Sequence, residues 1–444
     1  MTPDRDELNR RRRLREEQRK KRQAQQRRLY LKLALAALVL IASGIAIFVM
    51  SRSGGQSPAQ PVVSGTEAPV YQADVEEETE APTEAEKSSR SKEPTVIHLA
   101  AAGDLNVTDK VVWSGQTSGD FDYTKAFMDV APIFAEADIS VLNFEGTLCG
   151  APYGSATSSA PQKMVEALKA AGVDLLQAAN SCSITSGMNG LVSTLGNIRA
   201  AGIEPLGAFS SVEEFRKSKG YTICEVSGIK IAFVAFTKGM DGRGMPTGSE
   251  DCVNLLYTDY ATTYQDVDTE GITKILRSAA AEKPDLTVAL LHWGSEYNDS
   301  VSSTQKEIVK LMQKEGVDAI IGTHPHMVHE ITYDELTGQL VAYSLGDFFG
   351  DGTRGGTNYS IILDLEITRD NETGETKITD YSYTPIYTLA EDECDGDRRV
   401  VRIDNAIAAY EGNFVDKITE AAYESMKNAL ERISARVAPE TEEE

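Results

Sequence analysis

Four of the five histidines in this 444-residue chain fall within or beside two short segments. His324, Pro325 and His326 form one triplet with His329 just beyond it, and His292 opens the other segment. Proline stiffens the triplet, and the i, i+2 spacing lets both imidazoles point into one cavity. Asp104, Glu145 and His292 complete a mixed nitrogen and oxygen donor set. Such a set suits divalent ions of the Zn, Mn, Fe or Mg kind, and a carboxylate within it can bridge two of them. Two ions about 4 Å apart are the usual device for displacement at phosphorus.

The candidate donors recur where short apolar runs end. Gly103-Asp104-Leu105-Asn106 follows the run beginning at Val96, and Asn143-Phe144-Glu145-Gly146 follows Asp138 to Phe144. Ala179-Asn180-Ser181-Cys182 follows Val173 to Asn180; the His292 and His324 segments close two later runs. Helical stretches separate these runs, so the pattern predicts an α/β domain with buried sheets. Later hairpins add antiparallel pairing, including one turning at Ser227-Gly228 and another across Asn371 to Gly374. In open α/β sheets the carboxyl edge is the ligand-binding edge, because neighbouring strands project their loops into one crevice. YTKAFMDVAPIFAEA reads as one helix, LVAYSLGDFF as one strand, and Asn413 to Val437 as a helical region outside the catalytic core. DGDRR (Asp395 to Arg399) reads as a solvated turn.

Charge divides the chain. Lys+Arg number 44 against 68 Asp+Glu, a net −24. Residues 1 to 32 nevertheless hold 13 Lys/Arg against 5 Asp/Glu, a net +8 that leaves −32 for the rest. An acidic body of that size excludes a general nucleic-acid binder, since it offers no surface for counterion release. Leu29 to Met50 is apolar apart from Lys32. At about 1.5 Å per residue it reaches roughly 33 Å, enough to span a bilayer. The basic run before it places residues 1 to 28 in the cytoplasm and the main domain outside the cell membrane, which the chain crosses once. Residues 51 to 94 are rich in Pro, Ser, Gly and Glu and read as a disordered acidic tether. Five cysteines allow at most two disulfides, with one thiol left over. Serine-hydrolase, P-loop and dinucleotide-binding motifs are absent from the sequence.

The segments AAGDLN, LNFEGTL, VDLLQAANSCSITSGMNGLVSTLGNIRAAGI, LLHWGSEY, IIGTHPHMVHEI and YSLGDFF, in this order, resemble the bacterial capsule-synthesis CapA family. That family is associated with poly-γ-glutamate capsule biosynthesis and is similar in fold to calcineurin-like metallophosphoesterases. The resemblance covers about residues 96 to 370. It implies a two-sheet αββα sandwich, placed over residues 95–390; residues 391–444 read separately as a C-terminal helical region with an acidic tail. It also implies Asp104, Glu145, His292, His324 and His326 as metal ligands, with Asn180 and Cys182 at the catalytic positions.

The match departs from the family where Ala-Asn-Asn-His followed by Asp and Gly is expected. Asn180 and Gly187 are retained, but Ser181 stands at a metal-binding Asn, Cys182 at the proton-donating His and Thr185 at the Asp. Asp347 replaces the usual Asn of YSLGNF, and Asn106 stands where a His ligand is common. A neutral thiol is a weak proton donor, so the acid/base role is left unfilled. Two expectations follow. One is a membrane-anchored, metal-dependent hydrolase or transferase of extracellular polymer assembly, with an anionic polymer or capsule-synthesis proteins as partners. The other is a catalytically degenerate scaffold that binds metal, polymer or partner enzymes.

Overall fold

The strand Thr95–Asn106 (β1) sorts its side chains by parity: Ile97, Leu99 and Ala101 enter one apolar cluster, while Ala100 and Ala102 enter another. The same alternation runs through the computed structural model, which describes residues 93–413 and 417–438. After β1 come β2 (Ile139–Glu145), β3 (Leu175–Gln177), β4 (Glu204–Leu206), β5 (Tyr221–Val226), β6 (Ile229–Thr237), β7 (Leu286–His292) and β8 (Ala319–Thr323). Then follow β9 (Ile331–Tyr333), β10 (Leu340–Ala342), β11 (Asp347–Phe349), β12 (Tyr359–Arg369), β13 (Thr376–Leu389) and β14 (Arg399–Arg402). One sheet has the order β14-β13-β12-β1-β2-β3-β4, with β11 pairing beside β1; the other has the order β5-β6-β7-β8-β10-β9.

Leu99 and Val141 of the first sheet share a cluster with Phe233, Val288 and Ile321 of the second, so the two sheets bury their facing sides together. The outer face of the first sheet packs Leu142 and Leu176 against Met164, Val165 and Leu168 of the helix Gln162–Ala170. On the second sheet, Val234, Phe236 and Leu291 meet Ile272 and Leu276 of Thr269–Ala280 and Ile308 and Met312 of Ser303–Lys314. Each fully buried aliphatic side chain contributes roughly 1.5–3 kcal/mol. The start of the second of these helices is fixed by a reciprocal cap: Ser302 accepts from the Gln305 amide, and Gln305 reaches back to the Ser302 amide. The expected two-sheet α/β sandwich is therefore present. Among the described residues no helix is long and apolar enough to cross a membrane. The expected span, Leu29 to Met50, lies outside those residues, as does most of the tether.

Four local expectations are corrected. LVAYSLGDFF is two strands in different sheets: β10 pairs with β8 and β9, whereas β11 pairs with β1. Between them the chain turns through Gly346, whose φ is +79°. YTKAFMDVAPIFAEA breaks into Thr124–Phe127 and Ala131–Glu136, the second carrying its proline in the first turn, where the missing N–H costs nothing. The helix Glu420–Val437 buries Ala422, Met426, Ala429, Ile433 and Val437 in the cluster that joins the sheets, and so belongs to the core. Arg398 of the DGDRR turn is buried, donating to the Gly350 carbonyl and pairing with Glu391. All five cysteines are free thiols.

The crossing point bears on the site. A Cβ on Gly103 would stand 1.7 Å from the Gly346 carbonyl oxygen, which itself accepts from the Asp104 amide at 3.0 Å. Gly103→Ala is therefore expected to cost at least about 2 kcal/mol in denaturant unfolding, because backbone must move to admit the methyl. A melting curve matching wild type would refute this close approach.

Candidate metal centre

Register places the donors. β1 runs parallel to both β2 and β11, with Asp104 opposite Asn143 on one side and Asp347 on the other; Asn106 is opposite Glu145. In the second sheet Thr237, His292 and Thr323 form a row across β6, β7 and β8. Asp104, Asn106 and Glu145, like the second row, lie at the carboxyl ends of parallel strands, the edge that open α/β sheets use for ligands, while Asp347 opens β11 beside them. The loop after β8 carries His324 and His326 with φ of 92° and 59°, left-handed values that cost a non-glycine residue about 1–3 kcal/mol each. Asp104 helps hold this loop, its Oδ2 accepting from the His324 amide at 2.9 Å. Trp293, fully buried, donates its indole N–H to the Tyr343 carbonyl at 3.0 Å and pins the segment after β7.

All five expected ligands, Asp104, Glu145, His292, His324 and His326, are buried and converge. His292 Nε2 lies 2.9 Å from Ser181 Oγ, 3.0 Å from His324 Nδ1 and 3.3 Å from Glu145 Oε1. Asn143 Nδ2 donates to Asp104 Oδ1 at 2.6 Å and lies 3.3 Å from His292 Nδ1. His326 Nδ1 meets Asp347 Oδ1 at 2.7 Å, and the Tyr297 ring stacks on the His326 imidazole with centroids 5.1 Å apart. Donor atoms gather into two buried trios, Glu145/His292/His324 and Asp104/His326/Asp347, each within 4.8 Å. A third trio joins Glu296 to His324 and His326.

Ionisation follows from this crowding. Burial raises Asp104, reinforced by Glu145. Burial also opposes ionisation of Glu145, but His292, His326 and the Ser181 hydroxyl bring it down to about 2. Asp347 is pushed by burial up to about 7 despite its contact with His326. Burial alone would lower His326; Asp347, Glu145 and Asp104 overcome it and hold the imidazole well above its usual value. His324 is driven well below, by burial and then by His292. Glu145 Oε2 is buried without a hydrogen-bond partner. An orphaned buried carboxylate oxygen facing imidazoles calls for a cation, and the mixed N/O trios are the donor chemistry of a borderline divalent ion. The residues fit divalent metal.

The two expected catalytic positions serve differently. Asn180 donates to the Asn143 side-chain oxygen (3.1 Å) and the Phe144 carbonyl (2.7 Å), and its own side-chain oxygen accepts from the Cys182 amide, so it ties the loop after β3 to β2. The Cys182 thiol is pushed by burial, and then by Glu145, up to about 12. His329 is buried outside the cluster, its Nε2 donating to the Asn298 carbonyl at 2.6 Å, and His98 pairs with Asp364. Asp347, Asn143, Ser181 and Glu296 join the centre beyond the expected ligands. Asp347 and Ser181 were visible as departures from the family pattern, and Asn143 and Glu296 lie inside the strand-end segments.

The fold and site define a two-sheet α/β protein with a histidine and carboxylate centre at its strand ends. Residues 98–351, more than half of the chain, match the family described as bacterial capsule synthesis protein PGA_cap, and the chain belongs to that family. It is similar to the PGA biosynthesis protein CapA of Bacillus subtilis, 27% identical over 261 residues, covering 57% of this chain and 63% of that protein. It is also similar to the capsule biosynthesis protein CapA of Bacillus anthracis, 28% identical over 215 residues, covering 48% and 49%. The match thus spans less than two thirds of either relative. Among solved structures, a phosphatase from Mycoplasma pneumoniae aligns at 14% identity over 66% of this chain and 95% of that one, with a TM-score of 0.41.

The thiols offer a direct check. Burial raises Cys149, but hydrogen bonds with Ser159, Ser186 and Thr147 outweigh it and bring the net below the usual thiol value, whereas Cys182 sits near 12. Because the thiolate is the nucleophile, iodoacetamide at pH 8 is expected to label Cys149 well before Cys182. Peptide mass spectrometry showing the reverse order would contradict this picture.

Proposed function

We propose that this chain is a metal-dependent hydrolase or transferase of the metallophosphoesterase type. It acts in extracellular anionic-polymer assembly from a single-span membrane anchor at Leu29 to Met50, with its main domain outside the cell. The observation that carries the reading is the pair of buried trios sharing a centre with the orphaned Glu145 oxygen. Glu145, His292 and His324 would hold one ion and Asp104, His326 and Asp347 a second; bound there, divalent ions supply Lewis-acid polarisation of a phosphoryl or carbonyl oxygen. Asn143 orients Asp104 and His292, and Asp347 fixes the His326 ring by its short contact at Nδ1. Outer contacts of this kind typically govern 10–100-fold in metal affinity or activity.

The second reading, a scaffold that binds metal or polymer without turnover, is favoured by Cys182. A thiol near 12 in the place expected for a proton-donating imidazole gives no useful acid at neutral pH.

Metal analysis of the purified protein separates the two from failure of both, when combined with hydrolysis of a generic phosphodiester in Mn²⁺. The enzyme reading expects bound metal and turnover, both lost on replacing His324 and His326 by Ala, with turnover falling at least about 100-fold. Bound metal without turnover, and activity created by Ser181→Asn with Cys182→His, would support the scaffold. Protein that binds no metal overturns the centre itself.

A further inference from the structure

The end of β6 carries no candidate metal ligand. β6 finishes at Thr237, opposite His292, and the next residue is Lys238, whose amide donates to the His292 carbonyl at 2.8 Å. Its ammonium donates to the Gly294 carbonyl at 2.6 Å and lies 4.5 Å from the centre of the Tyr264 ring. Those two contacts fix the long side chain and use one of its three donors, leaving two for a ligand. Lys238 and Tyr264 line a cavity of about 220 Å³ whose other walls include Ser181 and His324 of the metal centre, with Asp241 and Glu296 also lining it. Asp241 and Glu296 are exposed. Burial lowers the Lys238 pKa while Glu296 and Asp241 oppose that shift. Partial desolvation also strengthens the pull of the ammonium on an approaching anion.

We propose that Lys238 is the substrate-positioning cation of this site, holding an oxyanion, phosphoryl or carboxylate, in the cavity beside Ser181 and His324. The inference rests on the metal-centre reading for its role in turnover but not for the anion site itself. Geometry favours an anion: a donor-only ammonium with two free protons, a hydroxyl and an imidazole edge face one small cavity. Asp241 and Glu296 set a cost that a bound metal beside Glu296 would relieve.

Titration calorimetry of the full chain with inorganic phosphate and, separately, with glutarate tests this, each with the protein metal-loaded and chelator-treated. Wild type is expected to bind at least one probe, and which one identifies the oxyanion. Lys238→Met keeps the stem over Tyr264 and should weaken that probe roughly 10- to 100-fold at unchanged metal content, the loss expected for a hydrogen bond to a charged group. Lys238→Arg should retain binding within about tenfold. Asp241→Asn should tighten it two- to fivefold by removing a repelling charge, a check that holds even where Lys238→Met folds poorly. Lys238-dependent binding that persists in chelated protein supports the anion site even if the metal reading fails. Wild type that binds neither probe overturns the proposal, as does affinity unmoved by both Lys238→Met and Asp241→Asn.

Discussion

Three carboxylates, Asp104, Glu145 and Asp347, share a buried space with His292, His324 and His326, and the structure around them serves to keep that arrangement in place. Buried charges are tolerated when they are paired, hydrogen-bonded or neutralised by a cation. Within the chain the pairing is incomplete. Its acidic neighbours raise the His326 imidazole well above its usual value while burial drives His324 well below, and one oxygen of Glu145 has no hydrogen-bond partner. A divalent cation would relieve the imbalance, and the left-handed conformation at both His324 and His326 accompanies the turn of both imidazoles into this space.

This centre depends on contacts between elements far apart in sequence. Asp104 and Asp347 are neighbours only because the chain leaves the second sheet after β10 and enters the first as β11, and the approach is close enough that neither Gly103 nor Gly346 tolerates a larger residue easily. His292 comes from the other sheet, so the site closes only when the two sheets pack. Leu99, Phe233 and Val288 in the shared interior thus act on the chemistry at a distance: their burial fixes the spacing between the two rows of strand ends.

Much of this arrangement is legible in the sequence. Strand ends bearing Asp104, Glu145, His292 and His324 could be read from apolar runs, because a buried parallel strand is a continuous hydrophobic segment and its carboxyl end is where polarity returns. The strand switch inside LVAYSLGDFF was not legible: both halves are apolar, and only the positive φ at Gly346 and the partner strands separate them. The role of Asn180 was hidden for a related reason. A catalytic Asn and one that ties two loops look the same in sequence, and the hydrogen bonds to Asn143 and Phe144 add the tie that sequence does not reveal. The packing of the C-terminal helix was less legible, because the stripe of Ala422, Met426 and Ile433 shows that one face is buried but not against which element.

Lys238, the residue after β6, cannot ligate a metal while protonated, so no metal-site pattern in the sequence points to it. Yet a chain with a net charge of −24 disfavours anions on average, so an anionic ligand is best held where local positive charge meets it. The structure concentrates the means at one edge: acidic side chains turned inward as donors for a cation, and an ammonium braced by Gly294 and Tyr264 over the adjoining cavity. The excess of carboxylates and the recognition of an anion are then compatible, because the carboxylates that would repel a ligand at the centre are the ones that would hold the ions attracting it. Electrostatic selectivity here comes from where the charges lie within the two sheet edges, and net charge alone is a poor guide to what such a protein binds.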